Sequence, residues 1–375
     1  MIRDPVLITG GAGFIGSHLA DALAARGVGL RVMDSLDPQV HGPGATRPRF
    51  LPPGAEFLHG SVTDRTMVDR ALRGVYTVVH LAAAVGVGQS MYAIAPYVST
   101  NAQGTGVLLD AMANGSHGVR CLVVASSMSI YGEGRYRCPA CGPIAPRLRS
   151  LGQLQAKHWE MTCPVCGQVA APAPTDEAKP LFPTSVYAVT KRDQEELCLC
   201  VSRAYGIRTI ALRLFNVYGP RQSLSNPYTG AAAIFASRLM NDQPPVLFED
   251  GEQTRDFIHV QDIVRAFTLA LEREDVGDVA LNIGTGRATS VRTLARALGN
   301  ALDQPREPEI VDKFREGDIR HCVADPDAAS RLLGFETQVR LEDGLRDLAG
   351  WVRHERAEDR VAQARAELER KGLVR

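Results

Sequence analysis

The stretch that decides the fold is Val6-Leu7-Ile8-Thr9-Gly10-Gly11-Ala12-Gly13-Phe14-Ile15-Gly16, near the start of a chain of 375 residues. Its first four residues predict a buried strand, and the apolar spacing of residues 15–26 predicts a helix directly after the glycines. Glycines allow a tight turn and let another group approach the backbone closely. The unpaired N–H groups at the start of the helix favour a bound pyrophosphate. The stretch therefore predicts the phosphate-binding turn of a dinucleotide-binding unit.

The same alternation of apolar runs and helical patterns continues along the chain. Further strands are predicted at 30–33, 56–58, 77–81, 121–125 and 209–214, and a helix is predicted at 66–73. Strands that alternate with helices are typical of a parallel sheet with helices on both faces. The sequence therefore predicts an α/β fold with a Rossmann-type, doubly wound parallel sheet.

Asp34 stands at the end of the second predicted strand. A carboxylate there accepts hydrogen bonds from both ribose hydroxyls of a dinucleotide and repels a 2′-phosphate. Ser35 follows it, and no arginine stands beside it. Asp34 therefore favours NAD over NADP, and a helix or turn cap is the structural alternative.

Composition and charge exclude several classes of partner. The chain has 42 Lys+Arg and 42 Asp+Glu, and 45% of its residues are hydrophobic, as in an ordinary globular protein. Zero net charge argues against nucleic acid as a partner. The longest apolar run, around 78–85, is shorter than the roughly 20 residues that span a bilayer, so no membrane partner is expected. The strand pattern from residue 5 leaves no room for a signal peptide, which predicts a cytoplasmic location.

A proline-rich segment interrupts the alternation and contains two copies of Cys-Pro-x-Cys-Gly, at 138–142 and 163–167. Four thiolates, from Cys138, Cys141, Cys163 and Cys166, close a tetrahedral site on Zn²⁺ with no open position. We therefore expect a zinc ribbon, in which a structural Zn²⁺ supplies folding energy that few apolar residues can provide. A redox dithiol and an iron–sulfur cluster are the alternatives, and no other feature indicates electron transfer.

Several motifs, in this order, resemble the extended short-chain dehydrogenase/reductase family, and within it the nucleotide-sugar epimerases and dehydratases similar to UDP-glucose 4-epimerase. Besides the glycine turn they are His80-Leu81-Ala82-Ala83, Ser126-Ser127 before Tyr131-Gly132, Tyr187-Ala188-Val189-Thr190-Lys191, Arg213-Leu214-Phe215-Asn216-Val217-Tyr218-Gly219-Pro220, Arg255-Asp256-Phe257-Ile258-His259-Val260 and Arg315-Glu316-Gly317-Asp318. The resemblance spans residues 5–350 and omits the cysteine-bearing insertion and the last helical pattern.

The resemblance implies a division of the chain into four parts. Residues 1–132 and 183–215 would form an NAD-binding Rossmann domain, and 133–182 the zinc-ribbon insertion. Residues 216–350 would form a smaller, mainly substrate-binding α/β part that is interleaved with the Rossmann sheet. Residues 351–375 would form a C-terminal helix.

Tyr187 and Lys191 are the central catalytic candidates. On a helix they lie on one face, as residues i and i+4. A lysine ammonium near the phenol, together with the positive nicotinamide of NAD, lowers the tyrosine pKa from about 10, so Tyr187 is predicted to act as a base. The resemblance implies that Lys191 also holds the nicotinamide ribose. It further implies that Ser127 hydrogen-bonds the sugar hydroxyl that is oxidised.

The resemblance also implies the binding residues. Tightly bound NAD would be contacted by Gly10, Gly13, Phe14, Ile15, Gly16, Asp34, Ser61, Val62, Leu81, Ala82, Ala83, Asn101, Tyr187 and Lys191. A nucleotide-diphosphate sugar, with a UDP-sugar favoured, would be contacted by Ser127, Met128, Asn216, Arg255, Arg315, Asp318 and Cys322. Structural ion pairs are the alternative for the charged members. The small Cys322 stands where related epimerases carry a bulky tyrosine, and favours a pocket roomy enough for N-acetylated sugars. A homodimer is expected.

The residues after Ser127 indicate the reaction. In the family's dehydratases an Asp-Glu pair there eliminates water, whereas this chain has Met128-Ser129. Neither side chain transfers protons at neutral pH, so oxidation to a 4-keto sugar and reduction from the other face remain, which is 4-epimerisation. The alternatives are a dehydratase, a C3/C5 epimerase, a reductase, or a non-catalytic NAD-binding scaffold.

The insertion is attached near Tyr131 and Tyr187, so it could be a lid, a brace or a dimer face.

Overall fold

A computed structural model describes residues 2–375; Met1, the first residue of the predicted NAD-binding domain, lies outside the described residues. The strands are β1 (Val6–Thr9), β2 (Leu30–Asp34), β3 (Glu56–His59), β4 (Thr77–His80), β5 (Cys121–Ser127), β6 (Arg135–Cys138), β7 (Gly142–Ile144), β8 (Ala171–Ala173), β9 (Arg208–Leu214), β10 (Asn216–Tyr218), β11 (Val246–Leu247), β12 (Thr254–Arg255), β13 (Phe257–His259), β14 (Val279–Ile283), β15 (Thr289–Ser290), β16 (Glu309–Ile310) and β17 (His321–Cys322).

The helices are α1 (Phe14–Ala24), α2 (Pro38–His41), α3 (Arg65–Leu72), α4 (Val87–Ser90), α5 (Ile94–Tyr97), α6 (Gly104–Asn114), α7 (Leu151–Gln155), α8 (Val186–Tyr205), α9 (Ala231–Met240), α10 (Val260–Glu272), α11 (Val291–Ala301), α12 (Asp327–Leu333), α13 (Leu341–Val352) and α14 (Val361–Arg370). A π-helical turn spans Val98–Gln103, and a 3₁₀ turn spans Met128–Tyr131. Within residues 2–375, no helix is both long enough and apolar enough to cross a bilayer.

The central sheet has seven strands in the order β14-β9-β5-β4-β1-β2-β3, and every neighbouring pair is parallel. The first strand, β1, lies in the interior of the sheet. β2 and β3 extend the sheet from β1 to one edge, and β4 pairs with the other side of β1. The reversal of strand order between β1 and β4 creates a crevice at their carboxyl ends, where ligands bind in such sheets. The prediction of a doubly wound parallel sheet is confirmed.

Alternate residues of β1 show why both faces of the sheet are covered. Val6 and Ile8 pack with residues of α1 and α10, while Leu7 packs on the opposite face with residues of α3 and α6. Side chains in a strand point alternately to the two faces, so a strand buried on both sides is apolar throughout. The uninterrupted run Val6-Leu7-Ile8 therefore reflects a strand in the middle of a covered sheet.

The later part of the chain forms small sheets of two or three strands, and α9, α11 and α13 share a separate apolar cluster. Residues 216–350 also contribute to the central sheet, because its edge strand β14 comes from this range and α10 covers one face. The proposed domain boundaries stay a prediction.

Residues 135–173 contain a three-stranded antiparallel sheet in the order β7-β6-β8. Its buried residues are few, with Tyr136, Cys138, Met161, Cys163 and Ala170 forming a cluster of their own. This small sheet therefore has little apolar surface with which to stabilise itself.

The prediction of one helix over residues 351–375 is wrong in its extent. Helix α13 ends at Val352, residues 353–360 are irregular, and α14 spans Val361–Arg370. In the irregular stretch Glu355 pairs with Arg49 and Asp359 pairs with Arg238, so distant arginines hold these carboxylates. Asp359 also accepts a hydrogen bond from the backbone N–H of Val361, 2.9 Å away, which starts a new helix.

Candidate active site

The glycine turn lies at the carboxyl end of β1, beside the crevice. Gly10 has a φ of +68°, and a Cβ on it would lie 2.7 Å from the backbone nitrogen of Ala82. A Cβ on Gly16 would lie 2.5 Å from Cα of Gly11. Gly13 precedes α1 with no side-chain cap, so Phe14 and Ile15 begin the helix with backbone N–H groups directed out of its end. The turn therefore has the shape and polarity to bind a pyrophosphate.

Asp34 ends β2 next to this turn. Its Oδ2 accepts a hydrogen bond from the backbone N–H of Ala12 at 3.0 Å, and its Oδ1 accepts one from Leu36 at 2.9 Å. The carboxylate therefore does cap neighbouring backbone groups, and these bonds fix it at the edge of the phosphate-binding turn.

The other predicted cofactor residues follow neighbouring strands. Ser61 and Val62 come after β3, and a Cβ on Gly104 would lie 2.6 Å from Cγ2 of the buried Val62. Leu81, Ala82 and Ala83 follow β4 directly. The order of strands in the sheet brings these segments to the same edge as the glycine turn.

Asn101 lies in the π-helical turn before α6 and is fully buried. Its Oδ1 accepts a hydrogen bond from the backbone N–H of Ala84 at 2.7 Å, and its Nδ2 donates to Oγ1 of Thr190 at 2.9 Å. Asn101 thereby ties the segment after β4 to α8, the helix that carries Tyr187. π-Turns within helices are frequent at functional sites.

Ser127 and Tyr187 meet at the carboxyl end of β5. Oγ of Ser127 accepts hydrogen bonds from the backbone N–H of Ser129 at 3.2 Å and from its hydroxyl at 2.9 Å. The hydrogen of the Ser127 hydroxyl is thus free to be donated to the Tyr187 phenol, and the bond between these side chains lowers the pKa of Tyr187. Ser126, by contrast, donates to Glu195 at 2.6 Å.

The pKa of Tyr187 departs from the sequence prediction. Burial raises it above the ordinary value and outweighs the lowering by Ser127. The ammonium of Lys191 donates instead to the carbonyl oxygen of Ala125 at 2.5 Å and to Oε1 of Gln194 at 2.7 Å. Burial also lowers the pKa of Lys191 to about 8. The protein alone therefore does not favour phenolate, and the expected positive nicotinamide is the remaining charge that could.

Sequence reasoning missed a buried polar network behind Lys191. Nε2 of Gln194 donates to Oγ1 of Thr105 at 2.8 Å, and the ring of His80 bonds Thr9 and Thr105 at 2.7 and 2.9 Å. Burial lowers the pKa of His80 to about 3, so this imidazole is neutral at pH 7. The spacing of three residues between Lys191 and Gln194 on one helix was the available signal.

Two of the predicted substrate residues lie on β12 and β17, two strands that are parallel neighbours. Arg255 and Cys322 are register partners in these strands. Nη1 of Arg255 donates to the carbonyl oxygens of Thr254 and Arg320, and Nη2 donates to that of Ile319. Because carbonyl oxygens leave its charge uncompensated, the Arg255 guanidinium can still attract a phosphate group.

Three further substrate candidates have different surroundings. Arg315 pairs with Asp318 at 2.7 Å, so the structural ion pair considered above is present. Asn216 begins β10, and its Oδ1 is buried without a hydrogen-bond partner. An unpaired buried amide oxygen is costly, and a ligand donor would relieve that cost.

Cys322 is buried in a small apolar cluster that also contains Met128, Tyr131 and Phe215. Its Sγ lies 3.9 Å from Oγ1 of Thr175, and burial raises the pKa of the thiol to about 12. Met128 directly follows Ser127, so this cluster forms an apolar wall beside the Ser127–Tyr187 contact. Cys322 contributes to the wall as a protonated, packed side chain.

The four cysteines of the insertion form a cluster. Their Sγ atoms all lie within 4.8 Å of one another, and none is in a disulfide. Each Cys-Pro-x-Cys-Gly copy forms a tight turn, or knuckle, that ends in a glycine. Gly142 and Gly167 at these ends have φ of +77° and +76°, which explains a glycine at both places. Tetrahedral Zn²⁺ with bonds of about 2.3 Å would place its sulfurs about 3.8 Å apart, so the cluster fits such a site.

Comparisons with known proteins agree with this geometry. The model of the NAD dependent epimerase/dehydratase family matches residues 6–147 and 158–284, more than half of the chain. A dTDP-L-rhamnose 4-epimerase of Burkholderia thailandensis is 38% identical over 353 residues, which cover 93% of this chain and 95% of the relative. A putative UDP-glucose 4-epimerase of Methanocaldococcus jannaschii is 29% identical over 351 residues, 93% of this chain and 98% of the relative.

Two solved structures show the same architecture. UDP-glucose 4-epimerase of Thermotoga maritima with UDP-glucose has a TM-score of 0.75 and 32% identity, and the match covers 93% of this chain and 98% of that one. UDP-glucose 4-epimerase of Thermus thermophilus in complex with NAD has a TM-score of 0.74 and 28% identity, covering 94% and 99%.

Proposed function

The chain belongs to the NAD dependent epimerase/dehydratase family, and from that premise we propose that it is an NAD-dependent epimerase acting at C4 of a nucleotide-diphosphate sugar. The observation that carries the proposal is the attachment of α8 to the end of β5, where Lys191 donates to the carbonyl oxygen of Ala125 and Tyr187 lies within reach of Ser127. Met128 and Ser129 follow in place of a carboxylate pair, which leaves the site with a base for a hydroxyl proton and no acid–base pair for eliminating water.

The residues present fit NAD. Side chains at Gly10 or Gly16 would collide with the backbone, so the glycines maintain an open cradle for the pyrophosphate. Asp34 is fixed where it can accept hydrogen bonds from a ribose, and Asn101 and Lys191 are fixed near the opposite end of the crevice. Bound NAD would accept the hydride from C4 of the sugar and return it.

The chain's own residues move the proton. Tyr187, as phenolate, takes the proton of the C4 hydroxyl as the C4–H bond breaks. The single hydrogen of the Ser127 hydroxyl is donated to the phenolate before this transfer and to the sugar oxygen after it. After the sugar has turned, the C–H bond forms on the other face and Tyr187 returns the proton to the oxygen. The hydride removed from C4 and the proton removed from the hydroxyl are both returned to the sugar, so the cycle needs no added oxidant or reductant.

The substrate half is proposed to consist of Asn216, Arg255, Arg315 and Asp318, with Met128 and Cys322 in the wall near the sugar. A guanidinium suits phosphate oxygens well. A uridine-diphosphate hexose is the first candidate, because the two solved neighbours described above are UDP-glucose 4-epimerases.

A thymidine-diphosphate deoxysugar is the second candidate, and two observations favour it. The relative with 38% identity is a dTDP-L-rhamnose 4-epimerase, whereas the UDP-glucose relative has 29%. The wall containing Met128, Phe215 and Cys322 is apolar. Such a wall suits the C6 methyl group of a 6-deoxysugar better than the C6 hydroxymethyl group of a hexose.

The proposal is tested by incubating the purified enzyme with uridine-, thymidine- and guanosine-diphosphate sugars without added cofactor. We expect a product of unchanged mass whose C4 configuration is inverted by proton NMR, from at least one sugar. Loss of water from the sugar would indicate a dehydratase, and a requirement for added NADH would indicate a reductase; either result would contradict the proposal.

We also propose that Cys138, Cys141, Cys163 and Cys166 hold one structural Zn²⁺. The proximity of four unpaired sulfurs supports it, as do the two glycine-ended knuckles and the small apolar cluster of the insertion. Four thiolates leave no position for a substrate, so the metal would stabilise the fold.

A homodimer and a cytoplasmic location complete the proposal. Exposed Val189 and Leu197, on a side of α8 away from Tyr187 and Lys191, support a dimer through this helix. Eight unpaired cysteines support a reducing compartment.

A further inference from the structure

A group of charged side chains joins the insertion to the C-terminal part of the chain. We call it the charged brace: Glu133, Arg149 and Glu160 come from residues 133–182, and Glu249, Asp250, Arg320 and His321 from later in the chain. Arg320 is 0% exposed, and Glu133 and Glu249 are 1% exposed. Charges leave water at a high cost, so such a group persists only where the partners are closely matched.

Two arginines from different segments share one carboxylate at its centre. Arg149 of the insertion donates to both oxygens of Glu249, at 2.8 and 2.9 Å. Arg320 donates to Oε2 of the same Glu249 at 3.0 Å and to both oxygens of Asp250. Glu160 of the insertion accepts from Nη2 of Arg320 at 2.5 Å and bonds the ring of His321 at 3.2 Å.

The insertion also holds the backbone of this loop. Oε1 of Glu133 accepts a hydrogen bond from the N–H of Arg320 at 2.7 Å, and Oε2 accepts one from the N–H of His321 at 3.3 Å. The N–H of Gly134 donates to the carbonyl oxygen of His321 at 2.8 Å. The main chain of residues 320–321 is therefore fixed by direct bonds to the first residues of the insertion.

The other side of the same backbone holds a proposed substrate residue. The carbonyl oxygens of Ile319 and Arg320 accept from Arg255 at 2.7 and 2.9 Å. Arg149 also donates to the carbonyl oxygen of Asp318, at 3.4 Å. A shift of residues 318–321 would thus move both the Arg255 guanidinium and the Asp318 side chain.

We propose that Glu133, Arg149 and Glu160 of the insertion are positioning residues for nucleotide-sugar binding, which act by fixing residues 318–321 and, through them, Arg255. This inference rests on the proposed function, because that function assigns Arg255 and Asp318 to the nucleotide-diphosphate half. Of the three roles considered for the insertion, the contacts favour the brace.

Glu160 is the member best suited to a test. Its side chain is 45% exposed, so its removal does not leave a cavity in the core. Removal of Glu133 or Arg149 would strand a buried charge and endanger folding. Asp176 provides the matched control, because it lies in the insertion, is 41% exposed and pairs with Arg135 rather than with the loop.

The experiment compares wild type, Glu160→Gln, Glu160→Ala and Asp176→Asn. Calorimetry gives the Kd of UDP and dTDP, kinetics give KM and kcat, and melting temperature and bound NAD report the fold. For both Glu160 variants we expect Kd and KM to rise by about 3- to 30-fold, with kcat, melting temperature and NAD content retained. Asp176→Asn should match wild type. If a Glu160 variant fails to fold, Asp250→Asn takes its place. This variant removes another carboxylate from Arg320 and should raise Kd and KM in the same way.

Unchanged Kd in the folded Glu160 or Asp250 variants would overturn the inference, as would an equal rise in Asp176→Asn. If wild type binds a nucleotide but epimerises no sugar, the proposed function fails while the comparison of Kd values still decides the inference. If wild type binds neither UDP nor dTDP, the inference fails, while the incubation with nucleotide sugars still decides the proposed function.

Discussion

The surroundings of Tyr187 disfavour the negatively charged phenolate that catalysis requires. Burial raises the pKa of its phenol, and only the Ser127 hydroxyl lowers it. Lys191 is bonded to Ala125 and Gln194, so its ammonium stabilises the strand end and its own helix. A base that becomes available only when a positive cofactor is bound would remain protonated in the empty enzyme.

Replacing Tyr187 by Phe removes the proton acceptor and leaves the ring in place. We expect kcat to fall by about 10²- to 10⁴-fold, the usual contribution of a positioned base, while bound NAD is retained. Steady-state kinetics and the absorbance of extracted cofactor measure the two quantities. Tyr205→Phe, at an exposed position on the same helix, is the control, and an equal loss there would refute the role of Tyr187.

Ser127→Ala should change the pH dependence of the reaction. The Ser127 bond lowers the pKa of Tyr187, so its loss raises that pKa. Since the base must be unprotonated, activity rises with pH through this pKa, and the acidic limb of kcat/KM should move to higher pH.

Ser126→Ala is the control for this shift, because Ser126 donates to Glu195 and not to Tyr187. The acidic limb of its pH profile of kcat/KM should stay at the wild-type pH. A Ser127→Ala profile with an unmoved limb would show that Ser127 does not tune the base.

At the scale of elements, the insertion combines a small sheet with a four-cysteine cluster, and its few buried residues include two of the cysteines. A segment of this size requires metal or disulfides to fold by itself. The proposed Zn²⁺ would therefore stabilise Tyr136 and Met161, which are packed beside those cysteines.

Cys163→Ser removes one sulfur from the cluster. We expect the zinc content, measured by plasma mass spectrometry, to fall from one per chain toward none, with a lower melting temperature because metal binding supplies folding energy. Cys200→Ser, an exposed thiol on α8, should change neither value. A wild-type protein without stoichiometric zinc would contradict the metal assignment.

Local patterns explain which elements and site residues could be predicted. The glycine turn and the Tyr187–Lys191 spacing are encoded within a few residues, because strand and helix periods fix which side chains share a face. The Cys-Pro-x-Cys-Gly copies are similarly local.

The features that sequence reasoning missed depend on distant contacts. Lys191 bonds Ala125, which is 66 positions away, and no spacing rule connects them. The charged brace joins residues from 133 to 321, and the break after α13 depends on pairing with Arg49 and Arg238. The pKa of Tyr187 follows from burial, which the whole fold determines.

In the molecule as a whole, the outer face of α8 presents exposed apolar side chains without a partner among the described residues. Val189 and Leu197 are exposed along it. The same helix carries Tyr187 and Lys191 on its inner side, so an interface here would lie directly behind the catalytic residues.

Leu197→Glu places a charge on this face. We expect wild type to be a dimer and the variant a monomer by light scattering, since an unpaired charge at the centre of an apolar interface is costly. Val165→Glu, at an exposed position of the insertion, should leave the dimer intact. A monomeric wild type, or a dimeric Leu197→Glu, would contradict the proposed interface.

In the proposed reaction, C4 is inverted by removing a hydride and returning the same hydride to the opposite face. Its most direct test uses a nucleotide sugar that carries deuterium at C4, incubated with the enzyme in ordinary water without added cofactor, with the product analysed by NMR and mass spectrometry. We predict a C4 epimer of unchanged mass that retains the deuterium at C4. An epimer that has exchanged its deuterium for solvent hydrogen, or a product that has lost water, would contradict this mechanism.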